Sequence, residues 1–582
     1  MGTIEQSEGI DVRLTGGKVV AKGLRAYGVA YAAGVPGQGS KALLEALQRP
    51  GDGIPFIRVV QAQSAVHMAD GYFRACGRAM AIIFPSRSDL CRAVDAIATC
   101  HADSSAVLLL TGGTELNGSD RSDAEWSYDS SDAFPQLGIS IKRGWRAENV
   151  NELQEQMQCA FDTALSARPG PIHVEIPAEV QLEATDAHAL PATFRGRGER
   201  LHGDPDSIER AVRVLSEAER PVVIAGGGVV ASDACSVLLE LAEIISAPVV
   251  TSGNGFGTIP SDHPLDGGPI GRTGSYCANT LLRRADVILS IGSSLIDLLR
   301  IGGDTFDVSP LAHARLIQID IDPAQLGKRH AVEVGIVGDA REVVSHLKEA
   351  MQIGRRRAII SRRAAFVAEL HGLKSHWRTL LDRQFRDGEN LIRRQRSLVE
   401  LRKVAPHDTI FVVGAGNLRT IVRQTLPVHE PRTCIMSGYP ALDGWAVSAS
   451  IGAKLAMASR QVVCLVDDLD FLQAMQEIAV CVMHSIPVVY VVYNNSGPEF
   501  ISSVAAERSV GMLTGELSSA DGRPYSPAFA EIARSFGLEA WRVEHPAQLE
   551  GVFRKALDSI GPALVEIMTA RNDPGPVPVS EM

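Results

Sequence analysis

The sequence predicts an α/β protein of three doubly wound parallel-sheet domains. The apolar runs Val462–Val466 and Val488–Tyr493 show no polar alternation and flank one helical stretch, Phe471–His484. That is the pattern of a βαβ unit whose strands are covered on both faces. Strand-like and helical segments also alternate along most of the chain, which implies mostly parallel sheets between helices. At 582 residues the chain exceeds what a single core holds.

Composition narrows the class. Apolar residues make up 45% of the chain and charged residues 21%, as in ordinary globular proteins. A net charge of −11 argues against a nucleic-acid or anionic-membrane partner. Nine cysteines without CxxC or His-Cys spacing predict neither a disulfide framework nor a zinc site, and suit a reducing, cytoplasmic setting. The N-terminus lacks a basic segment followed by an apolar core, so no signal peptide is expected. No apolar run approaches the ~20 residues of a membrane helix.

In order, residues 1–185 read as the first domain. Its predicted helices are Gly17–Tyr27, Ala65–Cys76, Leu90–Ala102 and Val150–Ala167. Its predicted strands are Val29–Ala32, Pro55–Val60, Ala79–Phe84, Val107–Thr111 and His173–Ile176. The turn Ser86-Arg87-Ser88-Asp89 follows a strand and opens a helix, where backbone amides can face an anion, although it lacks glycines.

A polar linker, 186–205, precedes the second domain, 205–350. Helix Ser207–Ala218 and strand Pro221–Ile224 lead into Gly226-Gly227-Gly228, a glycine turn that lets backbone approach a nucleotide pyrophosphate. Strands are predicted at Pro248–Thr251, Val287–Ile291 and Leu316–Asp320, and Asp320 stands at a strand end suited to a ribose. Residues 351–400, with arginine pairs at 362–363 and 393–394, read as a solvated helical connector.

The third domain, 401–570, begins with strand Thr409–Val413 and the turn Gly414-Ala415-Gly416-Asn417, then Cys434–Met436 running into Ser437-Gly438. A small-residue helix, Ala446–Met457, leads to the βαβ stretch. Helices Ala528–Phe536 and Ala547–Ser559 and strand Ala563–Ile567 close the domain, after a long loop at 500–525. A right-handed crossover brings Asp468 and Asn495 to the same carboxyl edge of the sheet. A carboxylate and an amide oxygen suit a hard cation such as Mg²⁺. The alternative is a helix cap and a turn residue.

With this layout in view, the chain resembles the acetolactate-synthase-like family of thiamine-diphosphate (ThDP) enzymes. The resemblance rests on VPG at Val35–Gly37, HMADGYFRA at His67–Ala75 and ARPGPIHVEIP at Ala167–Pro177. It continues through AGGG from Ala225, SDHPL from Ser261, IDIDP from Ile319, VGDA from Val337, IGAKLA from Ile451 and SIPVVYVVYNN. It implies pyrimidine-binding, central and diphosphate-binding domains, a homodimer or homotetramer, and a small-molecule substrate. It also implies FAD or ADP in the central domain, held by Gly226–Gly228, Arg272, Thr273, Gly274 and Asp320. Asn417 and Gly438 are implied at the ThDP end, with Asp468 and Asn495 as the Mg²⁺ ligands.

Several positions depart from the family pattern. The proton-relaying glutamate falls at Ala62, whose methyl group carries no proton. Gln61 and Gln63 flank it and, as strand neighbours, would point away, and Gln63 is kept as a catalytic candidate. The GDG motif becomes Asp467-Asp468-Leu469, the cofactor-wedging apolar residue becomes Asp443, and the SGPG loop becomes Ser86–Asp89. The expectation is a remodelled pocket working without ThDP on a small carbonyl or carboxylic acid. Asp443, Asp467 and Asp470 would do acid–base work, with Arg87 pairing a substrate carboxylate. The alternatives are a ThDP- and Mg²⁺-dependent carboligase or decarboxylase of 2-oxo acids, and a non-catalytic partner of an active paralogue.

Overall fold

The computed structural model describes residues 14–48, 53–113, 141–185, 200–271, 274–296, 298, 313–352, 356–386, 392–438, 442–495, 519–521, 525–569 and 577. It forms two compact units, one of residues 1–69 and 78–198, the other of 70–77 and 199–582.

The first unit holds a six-stranded parallel sheet. Its strands are β1 (Ala32–Gly34), β2 (Phe56–Arg58), β3 (Met80–Phe84), β4 (Val107–Thr111), β5 (Arg143–Arg146) and β6 (Ile172–Glu175), in the order β2-β1-β3-β4-β6-β5. Every residue of β3 and β4 is buried, the signature of strands covered on both faces. The first strand lies later than predicted, at Ala32–Gly34 instead of Val29–Ala32. Residue 62 is not on a strand either. Helix α1 (Ala62–Cys76) begins there, so Gln61 and Gln63 are not strand neighbours of Ala62, and Gln63 sits half-buried in the first turn.

The second unit holds two more parallel sheets of six strands. In one, β7 (Pro221–Ala225), β8 (Val249–Thr251), β9 (Asp266–Pro269), β10 (Val287–Ile291), β11 (Arg315–Asp320) and β12 (Val334–Val337) run β9-β8-β7-β10-β11-β12. In the other, β13 (Ile410–Val413), β14 (Cys434–Met436), β15 (Val462–Asp467), β16 (Val489–Asn494), β17 (Glu539–Val543) and β18 (Ala563–Met568) run β14-β13-β15-β16-β18-β17. Helices α2 (Pro205–Glu217) and α3 (Cys235–Ile245) cover the former sheet.

The predicted connector is not solvated throughout. Helix α4 (Arg356–Arg386) carries Arg363, which is fully buried and donates to the carbonyls of Leu215, Ala218 and Ile245. One guanidinium thus caps the C-terminal ends of α2 and α3, whose last carbonyls have no partner inside their own helices. Burial lowers its pKa to about 10, which leaves it charged at neutral pH. Arg394 is fully buried as well.

Candidate functional site

The edge formed by the carboxyl ends of β13, β15 and β16 gathers most of the candidate residues. Parallel pairing sets Asp467 opposite Tyr493, so Asp468 and Asn495 follow at the ends of adjacent strands. The expected single helix after β15 is broken into α5 (Asp468–Ala474), a 3₁₀ turn (Met475–Glu477) and α6 (Ile478–Met483). The break falls at Glu477, an acid that is wholly buried.

Asp470, in the first turn of α5, is 3% exposed. Its Oδ2 accepts the N–H of Ala415 at 3.1 Å, and its Oδ1 accepts the N–H of Gly444. These amides lie in the loop after β13 and just before the helix Trp445–Ala456. A Cβ on Gly414 would collide with Asp470 Oδ2, so this glycine is required by a side chain of the same chain. Burial is the main cause that pushes the Asp470 pKa up to about 8; the charges of Asp443 and Asp467 add to it, and the two amides oppose it.

The neighbouring carboxylates differ. Asp467 lies 3.3 Å from the buried Arg394 guanidinium. Asp468 is 1% exposed and its Oδ1 accepts the N–H of Leu469 at 2.8 Å. Asp443 is exposed, lies 3.5 Å from the Gln473 amide, and has its pKa raised by the protein crowding its carboxyl. Asn417 opens the helix Asn417–Thr425, and Gly438 accepts from Arg419 at 3.1 Å.

The Asn495 Oδ1 is buried with no hydrogen-bond partner among the described residues, at the end of the strand adjacent to the one that leads into Asp468. An orphaned oxygen on the same sheet edge as a buried carboxylate fits a divalent cation, whose chemistry would be to neutralise anionic oxygens. At the same edge the Asp470 carboxyl takes two of the amides, and Asp467 and Leu469 flank Asp468.

Elsewhere the candidates are committed to the scaffold. Arg87 donates Nε to Glu175 Oε2 at 3.0 Å and forms an ion pair with it, so it does not stand open for a substrate carboxylate. Glu175 is 7% exposed, and a carboxylate so buried requires a charged partner. Next to it, burial lowers the His173 pKa to about 3, Arg87 adding to the effect, and Thr111 Oγ1 lies 2.7 Å from its Nε2.

In the central sheet, the Gly226 and Gly228 amides donate to the carbonyls of Ile291 and Gly292. A Cβ on Gly228 would come within 2.7 Å of Gly292 Cα, and one on Gly227 within 3.0 Å of Asn254. Close backbone packing therefore accounts for these glycines without a nucleotide. Gly274 is pressed against Ile270, and Asp320 accepts the N–H of Asp322 at 3.0 Å. Arg272 and Thr273 lie outside the described residues, as does most of the 500–525 loop. Sequence reasoning missed the Asp470–Ala415–Gly444 triad, the Arg87–Glu175 pair and Arg394; only Gly414 carried a signal, as a glycine awaiting a cause.

Fold and strand-end site together define an α/β protein of the thiamine-pyrophosphate enzyme type. That family matches in three pieces: its N-terminal TPP binding domain over residues 14–133, its central domain over 208–347 and its C-terminal TPP binding domain over 414–567. The probable acetolactate synthase large subunit of Methanocaldococcus jannaschii is 31% identical, covering 95% of this chain and 92% of its own. The acetolactate synthase large subunit of Corynebacterium glutamicum is 30% identical over 94% and 85%. The glyoxylate carboligase of Escherichia coli O157:H7 is 28% identical over 94% and 92%. The chain belongs to the acetolactate-synthase-like thiamine-pyrophosphate enzymes. Among the described residues, no helix is long and apolar enough to cross a membrane.

Proposed function

We propose that this enzyme acts on a small carbonyl or carboxylic-acid substrate through a pocket whose diphosphate cradle is filled by its own Asp470, and that it works without ThDP. The observation that carries this reading is the buried Asp470 carboxyl accepting the Ala415 and Gly444 amides. Ala62, with a methyl group where the family relays a proton, supports it too. Asp443 is the better acid–base candidate, because it is exposed and its pKa is raised. Asp470 has both oxygens engaged inside the protein. A cytoplasmic homodimer or homotetramer belongs to the same reading, and light scattering of the purified chain tests the assembly.

Calorimetry of the intact chain against ThDP plus Mg²⁺ tests the absence of ThDP. No binding in the micromolar range is expected, and micromolar binding overturns the reading. A second reading, a ThDP- and Mg²⁺-dependent carboligase or decarboxylase of 2-oxo acids, draws support from the orphaned Asn495 Oδ1 beside Asp468. Its mark is pyruvate turnover that requires both cofactors, and such turnover sinks the first reading.

A further inference from the structure

Away from the edge that carries Asp468, the second unit holds an open-sided cavity of about 370 Å³ between β8, β9, the second half of α4 and the chain at 423–429. That volume lies within the range of small-molecule sites. We propose that it binds a small carboxylate with an apolar body about the size of one aromatic ring.

The apolar side is formed by Phe256, Trp377, Leu381 and Leu426. Trp377 is 8% exposed and offers a broad face for a ring. The polar side carries a positive balance. The Asp266 carboxylate is already committed, 3.6 Å from Lys374 Nζ and accepting the Gly268 N–H at 3.0 Å. Asp262, also on the wall, is exposed and lies 3.8 Å from His429. Arg378 lines the cavity, and no described carboxylate lies within ion-pair distance of it. A guanidinium at the rim of an apolar hollow is the group that selects a carboxylate.

An independent observation points the same way. Thr251 lines the cavity, is 2% exposed, and its Oγ1 has no hydrogen-bond partner among the described residues. The Thr425 Oγ1, on the same wall, is likewise buried and unpartnered. A buried hydroxyl without a partner is a standing cost to the fold. Two residues lining one hollow carry such a hydroxyl, within reach of a ligand oxygen after a side-chain rotation.

This inference stands apart from the reading of Asp470, and its test uses the full chain with phenylacetate, phenylacetamide and phenethylamine in calorimetry. Phenylacetate is expected to bind, with the neutral amide about tenfold weaker and the amine weaker still. Arg378→Glu should lower phenylacetate affinity about tenfold and leave the amide unchanged. Thr251→Val should weaken both ligands yet leave the melting temperature equal or higher, which a hydroxyl with a structural bond would not allow. Equal affinity for acid and amide, no binding of phenylacetate, indifference to Arg378→Glu, or a lower melting temperature for Thr251→Val each overturns the proposal.

Discussion

Two glycine turns in the second unit follow a strand and precede a helix, and they are satisfied in different ways. At Gly226–Gly228 the amides are held by backbone carbonyls of Ile291 and Gly292. At Gly414–Gly416 the Ala415 amide is held by a side chain, the carboxyl of Asp470. A carbonyl of the main chain cannot be mutated away or titrated. A carboxyl can be both, so only the second turn can be released by one substitution or by a change of pH.

The largest expected effect is at the backbone-held turn. Gly228→Ala drives a Cβ toward Gly292 Cα, and about 4 kcal/mol of stability should be lost in denaturant unfolding. A near-neutral outcome would mean that the Gly292 loop yields easily and that the contrast between the turns is false. Asp470→Ala should cost about 2 to 3 kcal/mol, because it strands two buried amides.

The pH dependence sharpens the contrast. The folded pKa of Asp470, about 8, lies above its ordinary 3.8, so the native state holds a proton that the unfolded chain has lost. Its contribution to stability is intact below about pH 4 and falls, by at most about 1.4 kcal/mol per pH unit, until about pH 8. Urea midpoints of the wild type and Asp470→Asn, compared across that window, should diverge with this sign; parallel curves would show that the carboxyl is not protonated. Smallest of all, Asn495→Ala should change stability by less than about 0.5 kcal/mol, since the oxygen it removes has no partner.

Much of the fold was legible in the residues. Buried strands such as Met80–Phe84 and Val462–Asp467 announce themselves by unbroken apolar runs. The strands that went unread, Arg143–Arg146, Asp266–Pro269, Val334–Val337 and Glu539–Val543, all lie at sheet edges. There one flank is free, so sequences such as RGWR or DGGP are tolerated with no apolar run, although VGIV at Val334–Val337 keeps one and went unread because it is short. The site was legible in part. Asp468 and Asn495 were placed by chain order alone, because adjacent parallel strands must end on one edge. The partners of Asp470, Arg87 and Arg394 were not, because contacts between residues 26, 55, 73 or 88 positions apart leave no local pattern.

Arg363 carries a lesson for anyone wishing to excise the central sheet as an independent fragment. Cutting after Gln352, where the helix Ala340–Gln352 ends just past the family match that closes at residue 347, looks natural. Such a piece would leave the carbonyls of Leu215, Ala218 and Ile245 without the guanidinium that they share. A fragment extended through 386 is expected to unfold cooperatively and at higher temperature than one stopped at 352, as differential scanning calorimetry would show.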